Sequence, residues 1–161
     1  MDRRDVATWL SGPREALAGQ GIDLGYRGER LGLPESGVGS VAGVGRRLGA
    51  IFIDWLACLL VARLFFREFT VHPGDVRLGF ATLAIFFVMK SAFTLLGGSS
   101  FGQRLFGIRV ISLTGKPYVD PLRSMLRTLL ICLVVPAVIW DRDGRGLHDR
   151  AARTVDVRSR P

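Results

Sequence analysis

The sequence predicts an all-α membrane protein. It should have two full transmembrane helices and a third, short apolar helix, with an amphipathic interfacial segment between the second and third. Two observations predict this. First, residues 48–66 and 78–96 are two blocks of 19 residues, each almost wholly apolar. At about 1.5 Å per residue each makes a helix of about 28 Å, close to the roughly 30 Å of a hydrocarbon core. Second, the 161-residue chain is 48% hydrophobic with a mean hydropathy of +0.30, yet carries a net charge of +8. Apolar spans with cationic flanks have that composition. A basic nucleic-acid-binding domain would instead scatter its apolar residues at core periodicity, so nucleic acid is not an expected partner.

Residues 1–45 read as a cytosolic, glycine-rich extension of nearly balanced charge, with five arginines against six acids. Short helices are expected at 5–10 and 13–19, the second started by Pro13 and stopped by Gly19. The following glycine-rich stretch to Gly45 reads as a partly ordered linker or as a docking strip for a cytosolic partner. The membrane domain is expected over 46–157, with spans at about 48–66, 78–96 and 122–140, and 141–161 as a basic cytosolic tail. Arginine outnumbers lysine 20 to 2, which points to a GC-rich bacterial source and hence to the bacterial inner membrane.

The first span opens on Arg46 and Arg47 and holds an acid, Asp54. A carboxylate at a bilayer centre costs about 2.5–3.5 kcal/mol on insertion scales. Asp54 follows Arg47 by seven residues, which places both on nearly one helix face. The second span holds one charge, Lys90. Each of Asp54 and Lys90 lies six residues from the inner end of its span, so an Asp54–Lys90 pair at matching depth is available. Such a pair favours a packing role for Asp54. An unpaired Asp54 would favour an ion- or proton-coupling role. Arg63, on the opposite face, should snorkel outward.

Gly97-Gly-Ser-Ser breaks the second helix. Residues 101–117 read as a short surface helix and then a strand-like piece, with Arg104 and Arg109 among anionic headgroups. Asp120-Pro121 starts the third helix, whose first turns carry Arg123 and Arg127. These four arginines are the expected lipid-headgroup or tail-docking residues. The fully apolar part, 129–140, is only 12 residues long and contains Pro136, which is short for a span. A complete crossing would place six tail arginines outside, against the positive-inside tendency. A re-entrant or interfacial helix bent at Pro136 keeps them inside and is preferred. Both termini and the 97–125 loop then face the cytoplasm.

Cys58 and Cys132 fall in apolar runs and read as packed thiols. His148 and Asp149 could suggest metal or acid–base chemistry, but with two histidines in the chain no metal site is expected. Asp149 is expected to cap a helix or to be held by Arg104 or Arg109, latching the tail to the loop. No phosphate loop, HExxH or nucleophile–base arrangement is present. Neither an enzyme nor a cofactor is expected.

Three pieces carry a resemblance: Arg-Arg-Leu-Gly-Ala-x-x-Ile-Asp over 46–54, Ser-x-Gly-Gln-Arg-Leu-x-Gly-Ile-Arg-Val over 100–110, and Gly-Leu-His-Asp-x-x-Ala-x-Thr over 146–154. In this order and spacing they resemble the RDD family of small bacterial membrane proteins. The lead-in over 28–35 looks like its actinobacterial branch. The resemblance implies that Arg47 (or Arg46) is the family's arginine and that Asp54 and Asp149 are its two aspartates, with His148 beside the second. It implies a membrane role for which transport of an unidentified ligand has been suggested. The short third segment departs from the family pattern, as does Arg153, where a glycine is common.

Two functions follow as expectations. One is small-solute or ion (proton or cation) transport by a homo-oligomer, since two or three short spans cannot enclose a path alone. The other is an accessory membrane scaffold that docks a cytosolic partner or anionic lipid.

Overall fold

The structure is a computed structural model that describes residues 25–66, 76–133, 139, 141 and 143–161. The helices expected at 5–10 and 13–19, most of the loop after the first span, and Pro136 lie outside the described residues. Two long helices dominate: α1, Val44–Phe65, and α2, Val76–Gly97. Both are long and apolar enough to cross a membrane. They are arranged inside out relative to a soluble core. α1 buries Arg47, Ala50, Asp54, Cys58 and Ala62, a row at helical spacing. Leu60 and Phe65 on other faces are more than two-thirds exposed. α2 likewise buries Thr82, Lys90, Ser91 and Thr94 beside Phe86. Small and polar groups face the partner helix while large apolar ones face out, which is the distribution expected of helices solvated by lipid.

The capping box explains the next element. Ser100 accepts from the Gln103 backbone N–H while the Gln103 side chain accepts from Ser100 N–H. This starts the one-turn helix α3, Phe101–Leu105. Strand β1, Ile108–Ser112, follows. Pro121 then opens α4, Pro121–Cys132, with Asp120 at the N-cap position but without a side-chain cap bond. α4 turns Ser124, Arg127, Thr128 and Ile131 inward and exposes Leu122, Met125 and Leu129. Cys58 of α1, Phe86 of α2 and Ile131 of α4 form the apolar contact where the three helices meet. Cys58 and Cys132 are both free thiols. Helix α5, Leu147–Ala152, packs on α4 and leads into β2, Thr154–Arg158.

The all-α expectation needs one correction. The strand-like piece after α3 has a partner in the tail: β1 and β2 pair antiparallel, with Ile108 opposite Arg158 and Ser112 opposite Thr154. The tail residues Val155 and Val157 supply the reason. They form a second apolar core with Val41, joined by Leu31, Leu33, Ile111 and Leu113. Part of the expected linker therefore lies over the sheet. Val41 bridges Val157, and Ala42 N–H donates to the Asp156 carbonyl at 2.8 Å.

Candidate functional site

The buried face of α1 meets α2, α3, α4, α5 and β2 in one polar network. At its upper end the Lys90 ammonium donates to Asp54 Oδ2 at 2.7 Å. Ser100 Oγ donates to the same oxygen at 2.6 Å and accepts from Lys90 at 3.1 Å. Asp54 Oδ1 accepts from Gly102 N–H at 2.7 Å. Both carboxylate oxygens of this fully buried acid are thus occupied. Gly102 is required by the approach of α3 to α1, because a Cβ there would stand 2.1 Å from the Ala50 carbonyl oxygen and 3.1 Å from Asp54 Oδ1. Lys90 also lies 5.5 Å from the Phe86 ring centroid.

Gln103 joins this end to the other. Its Nε2 donates to Asp156 Oδ1 at 3.2 Å. Arg127, buried on the inner face of α4, then forks between two acids: Nη2 to Asp156 Oδ1 at 2.8 Å and Nε to Asp149 Oδ1 at 2.7 Å. A planar guanidinium suits such a two-carboxylate arrangement. Arg47 faces the same acids across 3.7 Å, Nη1 toward Asp149 Oδ2 and Nε toward Asp156 Oδ2, and its Nη2 donates to the Asp156 carbonyl at 3.3 Å. Thr154 Oγ1 adds a bond to Asp149 Oδ1 at 3.2 Å. His148 Nε2 lies 3.5 Å from Asp149 Oδ2. Three carboxylates thus face three cations.

Burial alone would raise the Asp149 carboxyl. The guanidinium of Arg127 first, then His148 and Arg47, instead hold it well below the ordinary carboxylate range. Burial pushes the His148 imidazole below its usual value, against the opposing pull of Asp149.

The structure brings Arg47, Asp54, Lys90, Arg127, His148 and Asp149 into this network. Arg46 stands apart, with its Nη2 donating to the Pro161 carbonyl at 3.3 Å, so Arg47 is the arginine of the site. Arg104 and Arg109 do not hold Asp149; Arg127 does. The reason is strand alternation: Ile108 and Val110 are buried while Arg109 is exposed, and Arg104 on α3 is exposed as well. Arg123 reaches the Ala152 carbonyl at 3.4 Å, so it contacts the tail.

Sequence reasoning does not single out Asp156, Ser100 or Gln103 as site residues, although Ser100 and Gln103 belong to the motif over 100–110. One donor atom each from His148, Asp149 and Asp156 lies within 4.8 Å of the others. Arg127 and Arg47 already supply the positive charge those carboxylates face, so the donor set does not suit a metal cation. No curated protein and no solved structure matches the chain. The model of the RDD family matches residues 41–153, a stretch holding every network residue except Thr154 and Asp156, and the chain belongs to the RDD family.

Proposed function

We propose that the chain is a multi-pass protein of the bacterial inner membrane that acts as a non-catalytic, membrane-anchored scaffold. The observation that carries this is the complete engagement of Asp54. With Lys90 and Ser100 on one oxygen and Gly102 N–H on the other, the acid ties α1, α2 and α3 together and offers no free oxygen to a passing ion. Pairing of β1 with β2 supports the bent third segment, since a single complete crossing between them would part the strands. The sheet, the 97–125 loop and the tail then share the cytoplasmic side. There the exposed Arg104 and Arg109 would meet anionic headgroups, and the extension 1–45 would supply the surface for a cytosolic partner.

Reconstitution into proteoliposomes tests this reading. Wild-type protein should leave proton and sodium gradients intact, and anionic lipid should co-purify with it more strongly than with an Arg104→Gln/Arg109→Gln variant. Gradient loss through wild-type protein that Asp54→Asn abolishes would replace the scaffold with an ion-coupled transporter, which at this size requires a homo-oligomer.

A further inference from the structure

α2 ends in Gly97 and Gly98, and two arginines lie on that pair. Nη2 of Arg104, from α3, rests against Gly97 so closely that a Cβ there would collide with it. Nε of Arg109, from β1, stands 3.4 Å from the place a Cβ of Gly98 would take. The Cα atoms of neighbouring residues are about 3.8 Å apart, so two cationic side chains converge on one patch of bare backbone.

Neither arginine finds an acceptor there. Both are exposed, and among the described residues neither makes a hydrogen bond or an ion pair. The carbonyls beneath them already accept from other donors: Thr94 from Gly98 N–H at 3.0 Å, Gly98 from Val110 N–H at 2.6 Å, and Gly97 from Ser99 Oγ at 3.5 Å. Every described aspartate has a cation of its own elsewhere, Lys90, Arg127, Lys116 or Arg145. The described glutamates, Glu29 and Glu35, lie beside Gly25 in the segment before α1. The counter-charge for Arg104 and Arg109 must therefore come from outside the described protein. An apolar shoulder adjoins them. Phe101 and Leu105 share the exposed face of α3 with Arg104, and Leu96 beside Gly97 is exposed as well.

We propose that this patch seats a membrane lipid with a phosphomonoester headgroup. Arg104 and Arg109 hold the phosphate on the Gly97–Gly98 backbone, and the acyl chains lie along Leu96, Phe101 and Leu105. The inference rests on the lipid-facing, cytoplasmic placement of these arginines proposed above. One guanidinium fork occupies two oxygens. A diester phosphate has two free oxygens and one charge, which a single arginine satisfies. A monoester has three, with a charge of about −1.5 to −2 at neutral pH, which suits two converging forks. Glycine at both positions lets the phosphate approach the backbone. The apolar shoulder selects a lipid over a soluble phosphate.

The test titrates full-length protein in uncharged detergent with short-chain phosphatidic acid, short-chain phosphatidylglycerol and inorganic phosphate. Native mass spectrometry and the unfolding midpoint report binding. Phosphatidic acid should saturate a single site at least about tenfold more tightly than phosphatidylglycerol, and inorganic phosphate at equal concentration should not displace it. Gly97→Val keeps every charge and shifts only the tip of Arg104, while Arg109→Gln removes one fork. Each should bring phosphatidic acid down to the affinity of phosphatidylglycerol while the tail keeps its wild-type trypsin digestion rate. Equal affinity for the two lipids in wild-type protein, weakened for both by Arg104→Gln/Arg109→Gln, would keep the headgroup reading and overturn the phosphomonoester site. Binding of neither lipid would overturn both. Displacement by inorganic phosphate would make the ligand a soluble one, and a preference undiminished in folded Gly97→Val and Arg109→Gln would place the lipid elsewhere; either result overturns the proposal.

Discussion

Lys90 of α2 and Asp54 of α1 stand 36 residues apart in sequence and 2.7 Å apart in space, both almost completely buried. Removing one charge from such a pair strands the other, at roughly 3–5 kcal/mol, whereas removing both is far cheaper. Asp54→Asn should therefore destabilise the protein by about that amount, and Asp54→Asn/Lys90→Met by clearly less. Chemical denaturation in mild detergent, read as a double-mutant cycle, measures this. Additive effects would mean that the two groups do not interact.

Gly102 sets the distance between α3 and α1. Gly102→Ala must push the Ala50 carbonyl or the Gly102 backbone aside and with it weaken the 2.7 Å bond to Asp54. The expected loss is about 1–3 kcal/mol, the usual range for overpacking a tight contact. Gly79→Ala is the control: it lies within α2 with open space where its Cβ would go, so helix propensity should make it neutral or stabilising by up to about 1 kcal/mol. The unfolding midpoint should fall for Gly102→Ala and hold or rise for Gly79→Ala.

The sequence made half of this network legible and concealed the other half for a physical reason. Asp54 and Lys90 stand out because charges are rare inside apolar blocks and their depths match on antiparallel helices. Asp156 does not, because Val155-Asp156-Val157 alternates as a half-exposed strand would, with its acid toward water. Both faces of β2 are in fact buried: the valines lie under Val41, Leu31 and Leu33, whose glycine-rich surroundings read as a linker. Arg127 reads as a headgroup or tail-docking arginine on an amphipathic helix, and it docks the tail through Asp149; what the pattern hides is its burial. Where lipid is the solvent the apolar stripe turns outward, and the polar row of Ser124, Arg127 and Thr128 turns in.

Arg127 is the latch for the tail. Arg127→Gln and Asp149→Ala should each release α5 and β2 in protein still inserted in the membrane. Trypsin should then cleave after Arg150 and Arg153, whose side chains are already exposed but whose backbone the packed tail holds in place. Arg104→Gln and Arg109→Gln should leave the digestion rate unchanged, since neither arginine reaches Asp149. Accelerated cleavage in the latter pair alone would reverse this assignment.

Acid should loosen the same region in two stages. His148 is held below its usual value, so the unfolded chain binds its proton first, and stability falls as pH drops below the unfolded imidazole value of about 6.5. Asp149 is held below the carboxylate range. Its contribution is complete above the unfolded value of about 3.9 and is lost as pH falls through its lower folded value. A pH series of thermal unfolding should show both limbs, and His148→Gln should remove only the first.

Arg153 ends α5 in the left-handed region, at φ 52°, where the family commonly holds glycine. Its side chain is exposed, and the backbone does the work: Arg153 N–H donates to the Arg150 carbonyl at 3.1 Å, and its own carbonyl accepts from Leu113 N–H at 2.9 Å. A left-handed conformation costs an ordinary L-residue roughly 1–2 kcal/mol. Glycine adopts it without that penalty but loses about 0.4–1 kcal/mol through the greater freedom of its unfolded chain. Arg153→Gly should thus stabilise the protein by about 0.5–1 kcal/mol net, with both backbone bonds kept. A raised unfolding midpoint together with slower hydrogen exchange at Leu113 is the expected outcome. A lowered midpoint would mean that the guanidinium, and not the backbone, is what the position requires.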